Sequence, residues 1–220
     1  MRKLQFFAFI FLILLFQASL LFADNEKPSR EIIAAAEQGI ITFVKDPNMK
    51  NLNDYGFATK KDIDTAVLGK GYHIYTVNPD TLLNNETLDL GAMAVPTDMW
   101  EFLIMSQNKA VSVLTVAKMN DRWTAVSIGK TGMAEQVGNF IKKWPESKET
   151  SHRLIRIYQA TSDLMELSET GKKKGFVPLT SSRAAMGLTK ADFDPSDVHD
   201  SKDVITQLRP AVRRNMEGRH

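Results

Sequence analysis

The sequence predicts an α+β domain in which amphipathic helices pack on a mostly antiparallel sheet, behind an N-terminal signal peptide. Three observations support this prediction: an apolar segment with a basic start opens the chain, three strand-like runs lie near residues 100–128, and helical and strand patterns follow one another without an internal repeat. We divide the 220-residue chain into a signal peptide at 1–23, one α+β domain at 24–188 and a polar, partly helical C-terminal tail at 189–220.

The N-terminal segment has the pattern of a secretory signal. Arg2 and Lys3 precede the unbroken apolar run Phe6–Phe16, the less apolar Gln17–Ser19 follows it, and the small residue Ala23 ends the segment. This pattern predicts cleavage after Ala23 and export to the periplasm or the medium. The alternative is an uncleaved N-terminal membrane anchor, because about twenty mostly apolar residues from Leu4 onward are enough to span a bilayer.

The composition excludes several classes of site. The chain has no cysteine, so disulfides, thiolate nucleophiles and thiolate metal sites are impossible. It carries 28 basic and 26 acidic residues, and removal of the predicted signal leaves 26 of each, a formal net charge of zero. Such a balance gives no electrostatic footprint for nucleic acid. We expect contact with a membrane only through the signal segment, if that segment stays uncleaved.

The first part of the predicted domain is helical and then extended. Apolar residues at three- and four-residue spacings predict a helix from about Ser29 to Lys45. Thr59-Lys-Lys-Asp62 resembles a capping box and predicts a short second helix, which we expect to end at Gly69 or Gly71 because glycine favours helix termination. The β-branched and aromatic run Tyr72–Val77 then predicts a strand.

The clearest strand pattern follows from Trp100. Three runs, Trp100–Ser106, Ala110–Met119 and Arg122–Ile128, are separated by loops of hairpin length and predict an antiparallel meander. Both alternating faces of the first run are apolar. We therefore expect the sheet to be covered on both faces, by helices or by a partner chain.

The remaining elements continue the mixture of helices and strands. Met133–Trp144 predicts an amphipathic helix, and His152–Tyr158 predicts a strand. Ser162–Leu167 fits either a helical turn or an irregular strand. Phe176–Leu179 predicts a short strand whose proline places it at a sheet edge. In the tail, Ser201–Met216 predicts a last helix that its internal proline would kink or interrupt.

One string invites comparison with a phosphate-binding loop. Gly129-Lys130-Thr131 follows a strand and precedes a helix, but such a loop needs a glycine five positions earlier, where this chain has Thr124. We therefore interpret the string as an ordinary strand-to-helix turn.

A second string has oxygen ligands at the spacing of a calcium loop. These residues are Asp192, Asp194, Ser196, Asp200 and Asp203. The loop needs glycine at its sixth position, where Asp197 stands, and its last position is Asp instead of Glu. The interpretation that we favour is an acidic linker in which Ser201 caps the following helix and Asp203 lies in its first turn.

The sequence predicts no catalytic residue and no cofactor. Its four histidines lie far apart, and we expect them to be structural or surface residues. Our leading hypothesis is a non-enzymatic envelope or periplasmic interaction module that binds an envelope protein or a second copy of itself. Two alternatives stay open: a carrier of a small ligand, and a hydrolase whose scattered site would be marked by a pocket with perturbed acidic residues or a histidine.

Overall fold

The computed structural model describes residues 27–46, 50–86, 88–172, 174–188 and 192–218. The predicted signal peptide and its cleavage site lie outside these residues. Seven strands form one sheet, and helices pack on both of its faces. The prediction of an α+β fold with a mostly antiparallel sheet is thereby confirmed.

The helices and strands have the following bounds. The helices are α1 Arg30–Gly39, α2 Lys60–Asp64, α3 Pro79–Asn84, α4 Leu90–Met93, α5 Thr131–Lys143, α6 Thr180–Ala185 and α7 Ser201–Glu217. The strands are β1 Val67–Thr76, β2 Val95–Ser106, β3 Lys109–Met119, β4 Arg122–Gly129, β5 Thr150–Ile157, β6 Ser162–Glu169 and β7 Gly175–Pro178. A π-helical turn, Ile40–Val44, extends α1, and Leu52–Tyr55 and Tyr158–Ala160 are single 3-10 turns.

The strand order in the sheet is β4-β3-β2-β1-β5-β6-β7. The predicted meander corresponds to β2, β3 and β4, and β1 adds to it antiparallel to β2. A second antiparallel set, β5, β6 and β7, joins the first at the centre of the sheet, where β1 and β5 run parallel. As predicted, the proline-containing strand β7 lies at a sheet edge.

Helices cover both faces of β2, which explains why both faces of this strand are apolar. Trp100 and Phe102 pack with α1 on one face, whereas Leu103 packs with Ala134 and Phe140 of α5 on the other. Burial of these side chains stabilises the fold because it removes apolar surface from water. The expectation of a sheet covered on both faces is confirmed, and the cover is supplied by the chain itself.

The predicted end of the second helix was wrong. The second helix ends at Asp64, and both glycines expected to terminate it lie inside β1. A Cβ atom on Gly71 would lie 2.5 Å from the ring of Phe102, and one on Gly69 would lie 2.7 Å from Met105 Cγ. The glycines therefore let β2 side chains lie against the β1 backbone, which is a packing role that helix-stop rules do not consider.

The C-terminal helix α7 is built into the core. Val204, Leu208 and Val212 are fully buried, and they pack with residues of β5, β6 and β7. The helix continues through Pro210, so the interruption, one of the two effects predicted for this proline, does not occur. Arg209 donates hydrogen bonds of 2.9 Å to carbonyl oxygens at the end of α3, which ties the helix to that side of the sheet.

Candidate functional site

A cleft of about 300 Å³ lies where the two halves of the sheet meet. Strands β1 and β5 pair over only three residues, from Ile74 opposite Leu154 to Thr76 opposite Arg156. The cleft is lined by residues of both strands that precede this pairing, by Tyr75 within it, by the loop before β5 and by the start of the described chain. The lining residues are Lys27, Pro28, Lys70, Gly71, Tyr72, His73, Tyr75, Glu146, His152 and Arg153.

His152 is a buried imidazole in this cleft. Its ring meets the edge of Phe140 with the ring centroids 4.8 Å apart, and its Nδ1 lies 3.4 Å from Glu146 Oε1. Neither ring nitrogen makes a hydrogen bond with any other described residue. Burial lowers the pKa of His152 to about 4, with Lys70 adding to the effect and Glu146 opposing it. The imidazole is therefore neutral at pH 7 and offers one N–H donor and one nitrogen acceptor.

Tyr72 presents a second buried polar group. Its hydroxyl makes no hydrogen bond within the described part of the chain, and the residue is only 5% exposed. Burial raises the pKa of this phenol, and the carboxylate of Glu146 raises it further, so the hydroxyl stays protonated. Lys70 lies over the Tyr72 ring, with its ammonium 4.8 Å from the centroid, and also forms an ion pair with Glu146.

The opposite wall of the cleft is formed by Arg153. Its guanidinium carbon lies 4.8 Å from the centroid of the Tyr75 ring, and its Nη2 donates to the carbonyl oxygen of Gly91 at 2.9 Å. The same guanidinium forms a two-point ion pair with the buried carboxylate of Glu166. Lys174 Nζ lies 3.4 Å from that carboxylate, so one anion serves two cations.

The cleft combines groups suited to binding and to proton transfer. Imidazole, phenol, carboxylate and ammonium groups surround one small volume, whereas none of its described lining residues is serine, threonine or cysteine. Hydrolysis in this cleft would therefore use water, or a carboxylate, imidazole or phenol of the lining, as the nucleophile. The groups already in place can bind a polar ligand without further chemistry.

A second depression, of about 480 Å³, lies between α5 and the start of β3. Lys109, Glu135 and Lys142 line it together with small residues. Among the described residues that line it, no buried side-chain polar atom lacks a hydrogen-bond partner. It therefore has less of the character of a ligand site than the cleft between β1 and β5.

A buried network of charges lies beneath the N-terminus of α5, where the sequence resembles part of a phosphate loop. Lys130 precedes the helix in a left-handed backbone conformation, with φ 55°, and its ammonium pairs with the buried carboxylate of Glu101. Arg156 donates to Glu101 Oε1 at 2.9 Å and to Asp163 Oδ1 at 2.6 Å. Burial works against the charge on Arg156, but the two carboxylates raise its pKa. Lys130 is thus engaged by a carboxylate, and the string forms the predicted strand-to-helix turn.

The residues considered for a calcium loop do not converge. Asp194 Oδ1 accepts a hydrogen bond from the amide N–H of Ser196, and Asp200 caps α7 by accepting from the amide N–H of Asp203 at 2.8 Å. Asp192 begins the last described segment. In the part of the chain that the structure describes, no three histidine or acidic residues are grouped to hold a metal ion. The expected cap, Ser201, instead accepts a hydrogen bond from the amide N–H of Leu90.

Sequence reasoning missed most of the cleft. His73 and His152 were interpreted as structural or surface residues, and Lys70, Tyr72 and Arg153 were not singled out. A local signal was present, because titratable side chains, among them Lys70, His73 and Arg153, lie within the strand-like runs of β1 and β5. The pairing of β1 with β5, more than seventy residues later in the chain, is what brings these side chains together.

No helix within the described residues combines the length and the apolar character needed to cross a bilayer. No protein-family model, curated protein or solved structure matches the chain.

Proposed function

We propose that the chain is an exported, non-enzymatic protein that binds a small ligand in the cleft between β1 and β5. The observation that carries this proposal is the set of three buried polar atoms, Tyr72 Oη and the two nitrogens of His152, that make no hydrogen bond with a described residue, although Nδ1 lies 3.4 Å from Glu146 Oε1. Burial of a polar group without a partner costs about 1–3 kcal/mol. Such a cost is typical of groups kept for a ligand, since a purely structural core would replace them with apolar side chains.

This proposal is the small-ligand carrier considered from the sequence, but with a polar ligand in place of an apolar one. A carrier of an apolar ligand would need a cavity lined by methionine and aromatic side chains. The cleft has aromatic walls, Tyr72 and Tyr75, but its floor and rim carry charged and hydrogen-bonding groups. Several polar groups around one small volume favour a polar ligand, whose orientation is fixed by hydrogen bonds as well as by the shape of the cleft.

Native mass spectrometry tests the proposal. The full-length chain is expressed in its own cell, purified without denaturation and measured under native and denaturing conditions. We expect the native mass to exceed the denatured mass by one small molecule. Tyr72→Phe should lose most of this adduct, and the matched control Tyr158→Phe, at a tyrosine 46% exposed, should keep it. Equal adducts in both variants would remove the cleft from the proposal.

The same sample tests export. Cleavage after Ala23 predicts a mature N-terminus at Asp24, and the denatured mass reads this directly. A full-length mass confined to the membrane fraction would instead support the N-terminal anchor.

A second candidate function is the interaction module, and the edge strand β4, which pairs on one side only among the described strands, favours it. Val126 on β4 is 40% exposed and Met119, before the hairpin, is 53% exposed. At the other edge, β7 is bridged by His199 through an isolated pair with Phe176, which closes part of that edge. An envelope protein or a second copy of the chain would add a strand at β4. In-cell crosslinking tests this: Val126→Lys should abolish a crosslinked partner that Lys172→Gln retains.

A further inference from the structure

We infer that the ligand of the cleft carries a carboxylate group on a flat body. This inference rests on the proposed function and assigns the chemical class of the ligand. It depends on three features of the cleft: the excess of cationic groups, the excess of hydrogen-bond donors, and the two aromatic walls.

The charged groups around the cleft are predominantly cationic. Among its lining residues, Lys27, Lys70 and Arg153 are basic, and Glu146 is the one described lining residue that is acidic. Behind the wall, Glu166 is shared by Arg153 and Lys174. Two carboxylates, Glu146 and Glu166, thus lie near four cations, Lys27, Lys70, Arg153 and Lys174, and an anionic ligand group would bring the charges closer to balance.

The buried polar groups also match an acceptor. The protonated Tyr72 hydroxyl and one nitrogen of the neutral His152 are both donors, and the Lys70 ammonium lies over the Tyr72 ring. A carboxylate has two oxygens with several lone pairs, so it can accept from more than one of these donors. A ligand that only donates hydrogen bonds would leave the Tyr72 hydroxyl without an acceptor among the described residues.

The aromatic side chains along the cleft limit the shape of the part of the ligand beyond its carboxylate. Tyr75 is held by the guanidinium of Arg153 on one side, and its ring lies 5.3 Å from that of His73. His73 in turn stacks on Trp100 with ring centroids 4.8 Å apart. Rings fixed in this way favour a flat apolar or aromatic body. A cleft of about 300 Å³ limits that body to a small molecule.

Benzoate and benzamide test the inference, because they share shape and differ in charge. Titration of the mature protein, followed by the imidazole NMR signals of His152, should show benzoate binding at least about tenfold more tightly than benzamide. Inorganic phosphate should bind more weakly than benzoate because it lacks the flat body. Lys70→Gln should reduce the preference for benzoate, whereas Lys172→Gln, on an exposed turn, should not.

The outcomes separate the two proposals. Benzamide binding as tightly as benzoate would overturn the carboxylate inference and leave ligand binding in the cleft intact. Phosphate binding more tightly than benzoate would also overturn it. If no compound shifts the His152 signals and native mass spectrometry finds no adduct, both the inference and the proposed function fail.

Discussion

Replacement of Tyr72 by phenylalanine should stabilise the ligand-free protein while weakening its ligand binding. The hydroxyl is buried and has no partner among the described residues, so the folded state bears a desolvation cost that the unfolded state does not. Phenylalanine removes the polar atom and keeps the ring that packs between Lys70 and the core. We expect the free energy of unfolding to rise by about 1–2 kcal/mol.

The magnitude is measurable in a chain of this size. A change of about 1 kcal/mol shifts the melting temperature by roughly 2–4 °C in a domain of 150–250 residues. Urea unfolding of ligand-free Tyr72→Phe, compared with the wild type, gives the free energy directly. The control Tyr158→Phe changes a half-exposed hydroxyl that contacts Met99 Sδ at 3.6 Å, and it should leave stability within about 0.5 kcal/mol.

Tyr72→Phe is informative because it should change stability and ligand affinity in opposite directions. A residue kept for function lowers stability and raises affinity, so its removal should do the reverse. If Tyr72→Phe is no more stable than the wild type, the hydroxyl is satisfied in the ligand-free protein and the argument from buried unpartnered groups fails.

Three further predictions follow from buried groups. The pKa of His152 is about 4 in the folded protein and near 6.5 in the unfolded chain. The stability that the neutral imidazole provides is therefore complete above pH 6.5 and is lost as the pH falls from 6.5 to 4. Over this window, urea unfolding should show that the wild type loses up to about 3 kcal/mol more free energy of unfolding than His152→Gln. Equal losses in the two proteins would contradict the neutral buried imidazole. Arg156→Met should lower the stability of the protein by about 2–3 kcal/mol in thermal melts, because Glu101 then keeps one described partner, Lys130. Adding Glu101→Gln to this variant should recover part of the loss. Full stability of the single variant would show that the network contributes nothing. Gly91→Ala should lower the melting temperature, because the added Cβ would collide with the Glu166 carboxylate. In the control Gly132→Ala in α5, the added Cβ would have no atom within 4 Å, so stability should change by less than about 1 kcal/mol. Similar melting temperatures for the two variants would argue against the close approach of Gly91 and Glu166.

The fold class was predictable because its strongest signals are local. The three strands of the meander, helix α5 and the capping box at Thr59 each depend on patterns within a few residues. The structure of 80–95 was harder to predict, because α3 and α4 are single short turns that depend on their Asn78 and Asp89 caps. Gly69 and Gly71 misled the prediction because their role is to admit side chains from a distant strand.

The cleft was beyond sequence reasoning for a physical reason. Its residues come from β1, from the start of β5 and from the loop before β5, and only the parallel pairing of two separate antiparallel sets brings them together. Burial, which determines the pKa of His152 and the isolation of the Tyr72 hydroxyl, depends on helix α5 and on Phe140 in particular. Neither the partner strand nor the burial has a signature in the local sequence.

A crystal structure of the protein purified from its own cell tests the central claim most directly. We predict electron density for a small molecule in the cleft between β1 and β5, within hydrogen-bond distance of Tyr72 Oη and of a His152 nitrogen. A cleft in which ordered water satisfies all three atoms, or in which those side chains bond to one another, would contradict the claim that they are kept for a ligand.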